Sequence, residues 1–147
     1  MFNKDIRLEK KLFGLFKKDI YQGNYSGEVR NDLAHGFGKI EFKDGSSYEG
    51  GFLFDEYHGE GKFIFSDDGF IEGKWAHGLF YEGIRIFVNG DKYEGEFLTI
   101  KDGGRQFQVF MHGKGKLYRY EEGKWFSGYW KDDDLEESVD DWDVGDI

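Results

Sequence analysis

The chain has neither cysteine nor proline, and only two methionines in 147 residues. Without cysteine there can be no disulfide, no thiolate metal site and no thiol nucleophile, and a reducing compartment is favoured. Long hydrophobic runs are also missing. Residues 1–20 mix Lys, Arg, Asp and Glu with single apolar residues, so no signal-peptide core is present there. No stretch approaches the roughly 20 apolar residues that a membrane-spanning helix needs. These absences lead to the expectation of a soluble, cytoplasmic protein.

What is present is glycine and aromatic side chains: 23 Gly, 16 Phe, 9 Tyr and 4 Trp. So many rings exclude a disordered chain. Glycine without a three-residue period and without proline excludes a collagen-like helix. The length suits one modest domain. Short aromatic runs punctuated by glycine point to all-β hairpins. Charge is uneven within the overall −10. Residues 1–20 hold six basic and three acidic residues, whereas residues 131–147 hold Lys131 against nine acids. The acidity is therefore mainly C-terminal, and it argues against nucleic acid and against an anionic membrane as partners.

An aromatic-x-Gly motif recurs. Tyr25-Ser26-Gly27, Tyr48-Glu49-Gly50 and Ile71-Glu72-Gly73 lie 23 residues apart, Tyr93-Glu94-Gly95 follows after 22, and Phe126-Ser127-Gly128 after 33. Four residues past each anchor stands Val29, Phe52, Trp75, Phe97 or Trp130. His35-Gly36-Phe37-Gly38 and His58-Gly59-Glu60-Gly61 open ten residues past the first two anchors, and His112-Gly113-Lys114-Gly115 belongs to the same set. A period in the low twenties predicts an array of identical supersecondary units. In that register His77-Gly78 falls in a turn, at the place of Phe54-Asp55, and Tyr81 takes the histidine slot. The fourth unit carries an insertion within 98–111, which predicts an extended hairpin or protruding loop. The array then covers residues 21–130, with 1–20 as an N-terminal cap or extension and 131–147 as an acidic tail, disordered or a short helix through Leu135, Val139 and Trp142.

Side chains alternate between the faces of a strand, so Tyr48, Gly50 and Phe52 share one face, as do Gly61, Phe63 and Phe65. Gly50 is expected to leave a vacancy between two rings for an aromatic of the neighbouring strand. Asp44-Gly45 and Asp68-Gly69 supply the hairpin turns. A lone hairpin is unstable, so the units must be stabilised by stacking on one another.

This pattern of [Tyr/Ile/Phe]-x-Gly-x-[Phe/Trp], a short turn, His-Gly-x-Gly, an apolar run and Asp-Gly resembles the MORN (membrane occupation and recognition nexus) repeat over about residues 21–130. The resemblance implies an elongated, curved, single-layer antiparallel sheet of successive hairpins, used as a scaffold or adaptor. Family members stand beside enzymatic and junctional-membrane modules and in ciliary and cytoskeletal assemblies; some are proposed to bind acidic lipids, others a peptide or helix along the groove. For this chain the implied role is non-enzymatic protein binding along the concave aromatic face, in a cytoplasmic, cytoskeletal or ciliary setting, with self-association open. A membrane-recruitment module binding phospholipid is the competing reading. No cofactor and no metal is expected.

Candidate partner contacts are Tyr25, Tyr48, Phe52, Trp75, Tyr93, Phe97 and Trp130. His35, Gly36, Gly38, Gly50, His58, Gly59, Gly61 and His112 are read as structural, each histidine hydrogen-bonding near a tight turn. A slot that accepts Tyr81 is a poor metal ligand or general base. Glu49, Glu72 and Glu94 could pair for glycoside hydrolysis, but they stand opposite the aromatic face, where solvated charge belongs. The HGFG and HGEG glycines lack the Lys-Ser/Thr and helix of a phosphate loop. Residues 98–111 offer Lys101, Asp102 and Arg105 without a base–nucleophile pair. This register makes Gly50→Val more destabilising than Glu49→Val; equal melting temperatures for the two variants would refute it.

Overall fold

The computed structural model describes residues 6–7, 23–101 and 107–139. These form eleven strands: β1 Ile6–Arg7, β2 Gly23–Arg30, β3 Leu33–Phe42, β4 Ser47–Leu53, β5 Glu56–Ile64, β6 Phe70–Ala76, β7 Leu79–Ile86, β8 Lys92–Lys101, β9 Phe107–Arg119, β10 Lys124–Lys131 and β11 Asp134–Ser138. Every strand pairs antiparallel with its chain neighbour, so spatial order is chain order and the sheet stays open. The described residues are all-β, as the hairpin repeat predicts. The cap expected over residues 1–20, with Phe13, Leu15 and Phe16, lies outside the described residues apart from the two-residue β1, whose backbone pairs with Asn24 and Tyr25.

One row of residues crosses the sheet. Gly27, Gly38, Gly50, Gly61, Gly73, Gly83, Gly95, Gly115 and Gly128 are successive cross-strand partners from β2 to β10. The row creases the sheet. Rings four residues apart on a straight strand would be about 13 Å apart. Tyr48 and Phe52 of β4 have centroids 5.1 Å apart, and Tyr93 and Phe97 of β8 are 4.9 Å apart. Each strand therefore bends at its glycine and folds its two arms toward one another, so a single sheet acquires a core. In that core Tyr25 meets Phe52 edge-on, Tyr48 meets Trp75, and Tyr93 meets Trp130.

The glycines differ in what they make room for, which corrects the vacancy expected at Gly50. A side chain at Gly50 would strike the backbone of Gly61 and the Glu60 carbonyl. The ring vacancy lies one strand on: a Cβ at Gly38, Gly61 or Gly115 would overlap the phenol of Tyr25, Tyr48 or Tyr93 respectively. Those phenols reach across the crease and donate to the carbonyls of Glu28 (2.5 Å), Gly51 (2.8 Å) and Glu96 (2.9 Å). Two indoles close the other side, Trp75 donating to the Gly61 carbonyl (3.0 Å) and Trp130 to that of Gly115 (2.9 Å).

His-Gly-x is a β-bulge. Opposite Glu28, Gly51 and Glu96 the facing strand carries three residues instead of one: 35–37, 58–60 and 112–114. The first glycine of each has φ between 79° and 92° (Gly36, Gly59, Gly113), a conformation that other residues rarely adopt. In β7 the bulge shrinks to Tyr81 alone, between the Trp75–Phe80 and Lys74–Glu82 pairs. That one-residue saving accounts for the 22-residue interval, and Gly83 stays in the glycine row.

Two-residue turns with positive φ at both positions join β2–β3 (Asn31-Asp32), β4–β5 (Phe54-Asp55), β6–β7 (His77-Gly78) and β10–β11 (Asp132-Asp133). His77-Gly78 is thus a turn, as the register predicts. Each later turn latches onto the unit before it. Asp55 donates its N–H to the Ala34 carbonyl and accepts from Ala34 N–H at 2.7 Å; Asp133 does the same to Met111, and Gly78 N–H reaches the Tyr57 carbonyl. The longer turns follow 42, 65, 87 and 119. There Gly45 (φ 91°) corresponds to Asp68 (φ 77°) rather than to Gly69, so Asp44-Gly45 and Asp68-Gly69 are one residue out of register with each other.

At the C-terminal end, the expectation of disorder or helix is corrected for 134–138. These residues are β11, with Leu135 opposite Trp130 and packed on the core. The Asp132-Asp133 turn repeats the latch of Phe54-Asp55, which returns the chain to the sheet. Trp142 lies outside the described residues. Because Asp55 is buried and satisfies a buried N–H of the preceding unit, Asp55→Ala should lower the stability of the array by about 2 kcal/mol in denaturant titration. An unchanged unfolding midpoint would show that the latch carries no stability.

Candidate binding surface

The seven rings read as partner contacts are core. Tyr25, Tyr48, Phe52, Trp75, Tyr93, Phe97 and Trp130 are none of them more than 7 % exposed. The folded arms bring them together, but against each other and not around an open groove. The insertion covers them further. β8 and β9 form an extended hairpin whose residue Phe107 returns over the concave side, 5.0 Å from Phe63 and 6.1 Å from Trp75 between ring centroids. Thr99 within it donates to the Phe80 carbonyl at 2.7 Å, taking the place of the missing turn latch. Of the three polar residues noted in the insertion, Lys101 reaches the His77 carbonyl at 3.5 Å, and Asp102 and Arg105 lie outside the described residues.

The histidines sit in the bulges and pack on the first residue of the next two-residue turn: His35 on Phe54 (4.7 Å) and His58 on His77 (5.4 Å). Their Nδ1 atoms are buried without a hydrogen-bond partner among the described residues, so the hydrogen bond expected of them is replaced by ring packing. His112 alone keeps a polar neighbour, Asp132, whose N–H lies 3.4 Å from its Nδ1. Among the described residues no three His, Cys, Asp or Glu side chains are grouped to hold a metal ion.

Glu49, Glu72 and Glu94 stand on the outer face in a cross-strand row with lysines. The order is Lys39, Glu49, Lys62, Glu72, Ile84, Glu94, Lys116. Alternating opposite charges of this kind support a sheet, and Glu94 also takes an ion pair from Lys92 at 3.0 Å.

What remains open on the concave side is a margin beside the longer turns. Phe65, Phe87 and Phe126 are half-buried and pack on the edge of the core. Among them is a residue that pattern reading passed over. The inner row that flanks the glycines reads Tyr25, Ile40, Tyr48, Phe63, Ile71, Arg85, Tyr93, Leu117, Phe126 across β2–β10. Arg85 is the one charged member. Its guanidinium lies over Phe65 (4.9 Å) and Phe87 (4.5 Å), with the Val109 carbonyl at 3.4 Å. Burial draws its pKa down while Asp133 and Asp67 oppose that shift, and arginine stays charged at neutral pH. On β9, Arg119 lies over Phe126 at 5.3 Å. The signal was present in the sequence as an arginine in an apolar slot of the repeat.

These hairpins match a known module. A family model for the MORN repeat matches residues 25–47 and 48–70. Residues 25–70 carry two MORN repeats. The two matched MORN units span β2 to the start of β6, and the glycine row and two-residue turns continue beyond them to Gly128 and Asp133. Compared with curated proteins, the chain matches none. The MORN repeat is a non-enzymatic module, consistent with binding or scaffolding. No helix among the described residues is long and apolar enough to cross a membrane.

Burial raises the Tyr25 pKa to about 12, helped by Glu28 and Asp55, and raises those of Tyr48 and Tyr93 further. A raised folded-state pKa stabilises the protein fully below the unfolded value near 10 and is lost as pH rises toward the folded value. The array should therefore lose stability steeply above about pH 10, with tyrosinate absorbance rising together with unfolding. Ionisation of all nine tyrosines before any loss of structure would contradict this packing.

Proposed function

We propose that the chain is a non-enzymatic scaffold that binds a protein segment along the concave margin of the MORN array. The supporting observation is the division of rings on that face. The seven deep aromatics are consumed by the core, whereas Phe65, Phe87 and Phe126 keep part of their surface beside the turns. Partly exposed rings on a rigid sheet are favourable anchors, because they bury large area at little conformational cost. The extended hairpin bounds the surface on one side through Phe107. By family resemblance the setting proposed is a cytoplasmic assembly of cytoskeletal or ciliary kind.

The test is affinity purification from the native cell with the wild-type chain, a Phe87→Ser/Phe126→Ser variant and a Glu49→Lys variant of the outer face. Partners should be retained by the outer-face variant and reduced at least about fivefold by the double variant, at matched melting temperatures. Retention by the Phe87→Ser/Phe126→Ser variant together with loss by the Glu49→Lys variant would move the binding surface to the convex side.

A further inference from the structure

The concave margin carries two arginines in a chain of net charge −10. Arg85 and Arg119 both face it, and among the described residues neither forms an ion pair with a carboxylate. Asp67 and Asp133 act on Arg85 electrostatically, but Asp133 is engaged with the Met111 N–H. The Arg85 Nε is buried with no hydrogen-bond partner, and its Val109 contact at 3.4 Å is long. A guanidinium lying over a ring keeps its N–H fork in plane and free for a planar two-oxygen acceptor. A half-buried cation set in an apolar row is a cost to the fold unless an anion completes it.

Resting on the binding reading above, we propose that the segment received there is an acidic peptide, with Arg85 and Arg119 as its carboxylate anchors and Phe87 and Phe126 as contacts for the apolar residues between. The spacing suits an extended peptide. Arg119 lies two strands and two residues from Arg85, which places their backbone positions about 12 Å apart, close to the roughly 13 Å between positions i and i+4 of a strand. Charge complementarity selects the ligand: two arginines without a direct ion pair, in a chain of net charge −10, attract carboxylates to this margin. A flat bilayer is a poor occupant, because the arms of the creased sheet hold both groups on the concave side.

The probe is a fluorescent peptide, Gly-Glu-Val-Phe-Val-Glu-Gly, compared with its counterpart carrying Gln at both Glu positions, titrated against the full chain. The Glu peptide should bind about tenfold tighter, and that preference should vanish in Arg85→Met/Arg119→Met while the Gln peptide binds as before. Exposed Arg119→Met alone should lose part of the preference, which keeps the test valid if the double variant folds poorly. Phe87→Ser should weaken both peptides, since it touches the surface and not its charge selection. Equal affinity of the two peptides for the wild-type chain overturns the acidic assignment and leaves the binding surface standing; failure of both overturns the two together. Arginine-dependent binding to phosphatidylserine vesicles without peptide preference would replace the peptide by a membrane. A large gain in peptide affinity on changing Asp140, Asp141, Asp143 and Asp146 to Asn would replace it by the chain's own C-terminal residues.

Discussion

Close approach of backbones at the glycine row is the constraint on which the rest of this molecule depends. A single open sheet has no second layer to bury its apolar face. Here each strand supplies its own second layer by bending at a residue without a side chain, so that the arm carrying Tyr48 folds onto the arm carrying Phe52. The bend requires glycine twice over. Gly50 must let the Gly61 backbone come near, and Gly61 must leave room for the Tyr48 phenol. The Tyr and Trp hydrogen bonds across the crease then satisfy carbonyls that the bend exposes, which removes the penalty of leaving them unpaired inside the core.

From that crease follows the division of labour among the aromatic side chains. Most rings next to the glycines are pulled into the core, Phe126 only in part, and rings toward the longer turns lie where the arms diverge. The bulge histidines and the two-residue turns hold consecutive units in register, as the repeated contact of Asp55 with Ala34 and of Asp133 with Met111 shows. Where the insertion displaces a turn, Thr99 supplies the bond to the preceding unit instead. The repeat tolerates such exchanges because each interface asks only for a donor or acceptor at one carbonyl or N–H, whatever residue provides it.

Much of the fold was legible from spacing. The 23-residue interval placed the strands, moved His77-Gly78 into a turn and marked Tyr81 as a histidine equivalent, because backbone period is a local property. The candidate surface was less legible. Tyr25 and Trp75 look like groove residues in any strand pattern, since alternation reports which face a side chain occupies and not what covers that face. The same limit hid β11, whose acidic composition reads as solvated tail although its backbone completes a hairpin, and hid Phe107, whose place over Phe63 depends on the path of an inserted hairpin.

By itself the sequence determined an all-β array of MORN-type hairpins, the placement of His77-Gly78 in a turn, and the outward placement of Glu49, Glu72 and Glu94. Each of these follows from the period of two along a strand and from the conformational freedom of glycine, which act over a few residues. Tertiary structure alone decided which rings are buried, because burial depends on how sharply the sheet creases and on what lies across from it. It also decided that Arg85 is stacked on Phe65 and Phe87 and forms no direct ion pair with a carboxylate among the described residues. Its partners come from three separate strands and turns, and no local pattern records that they meet.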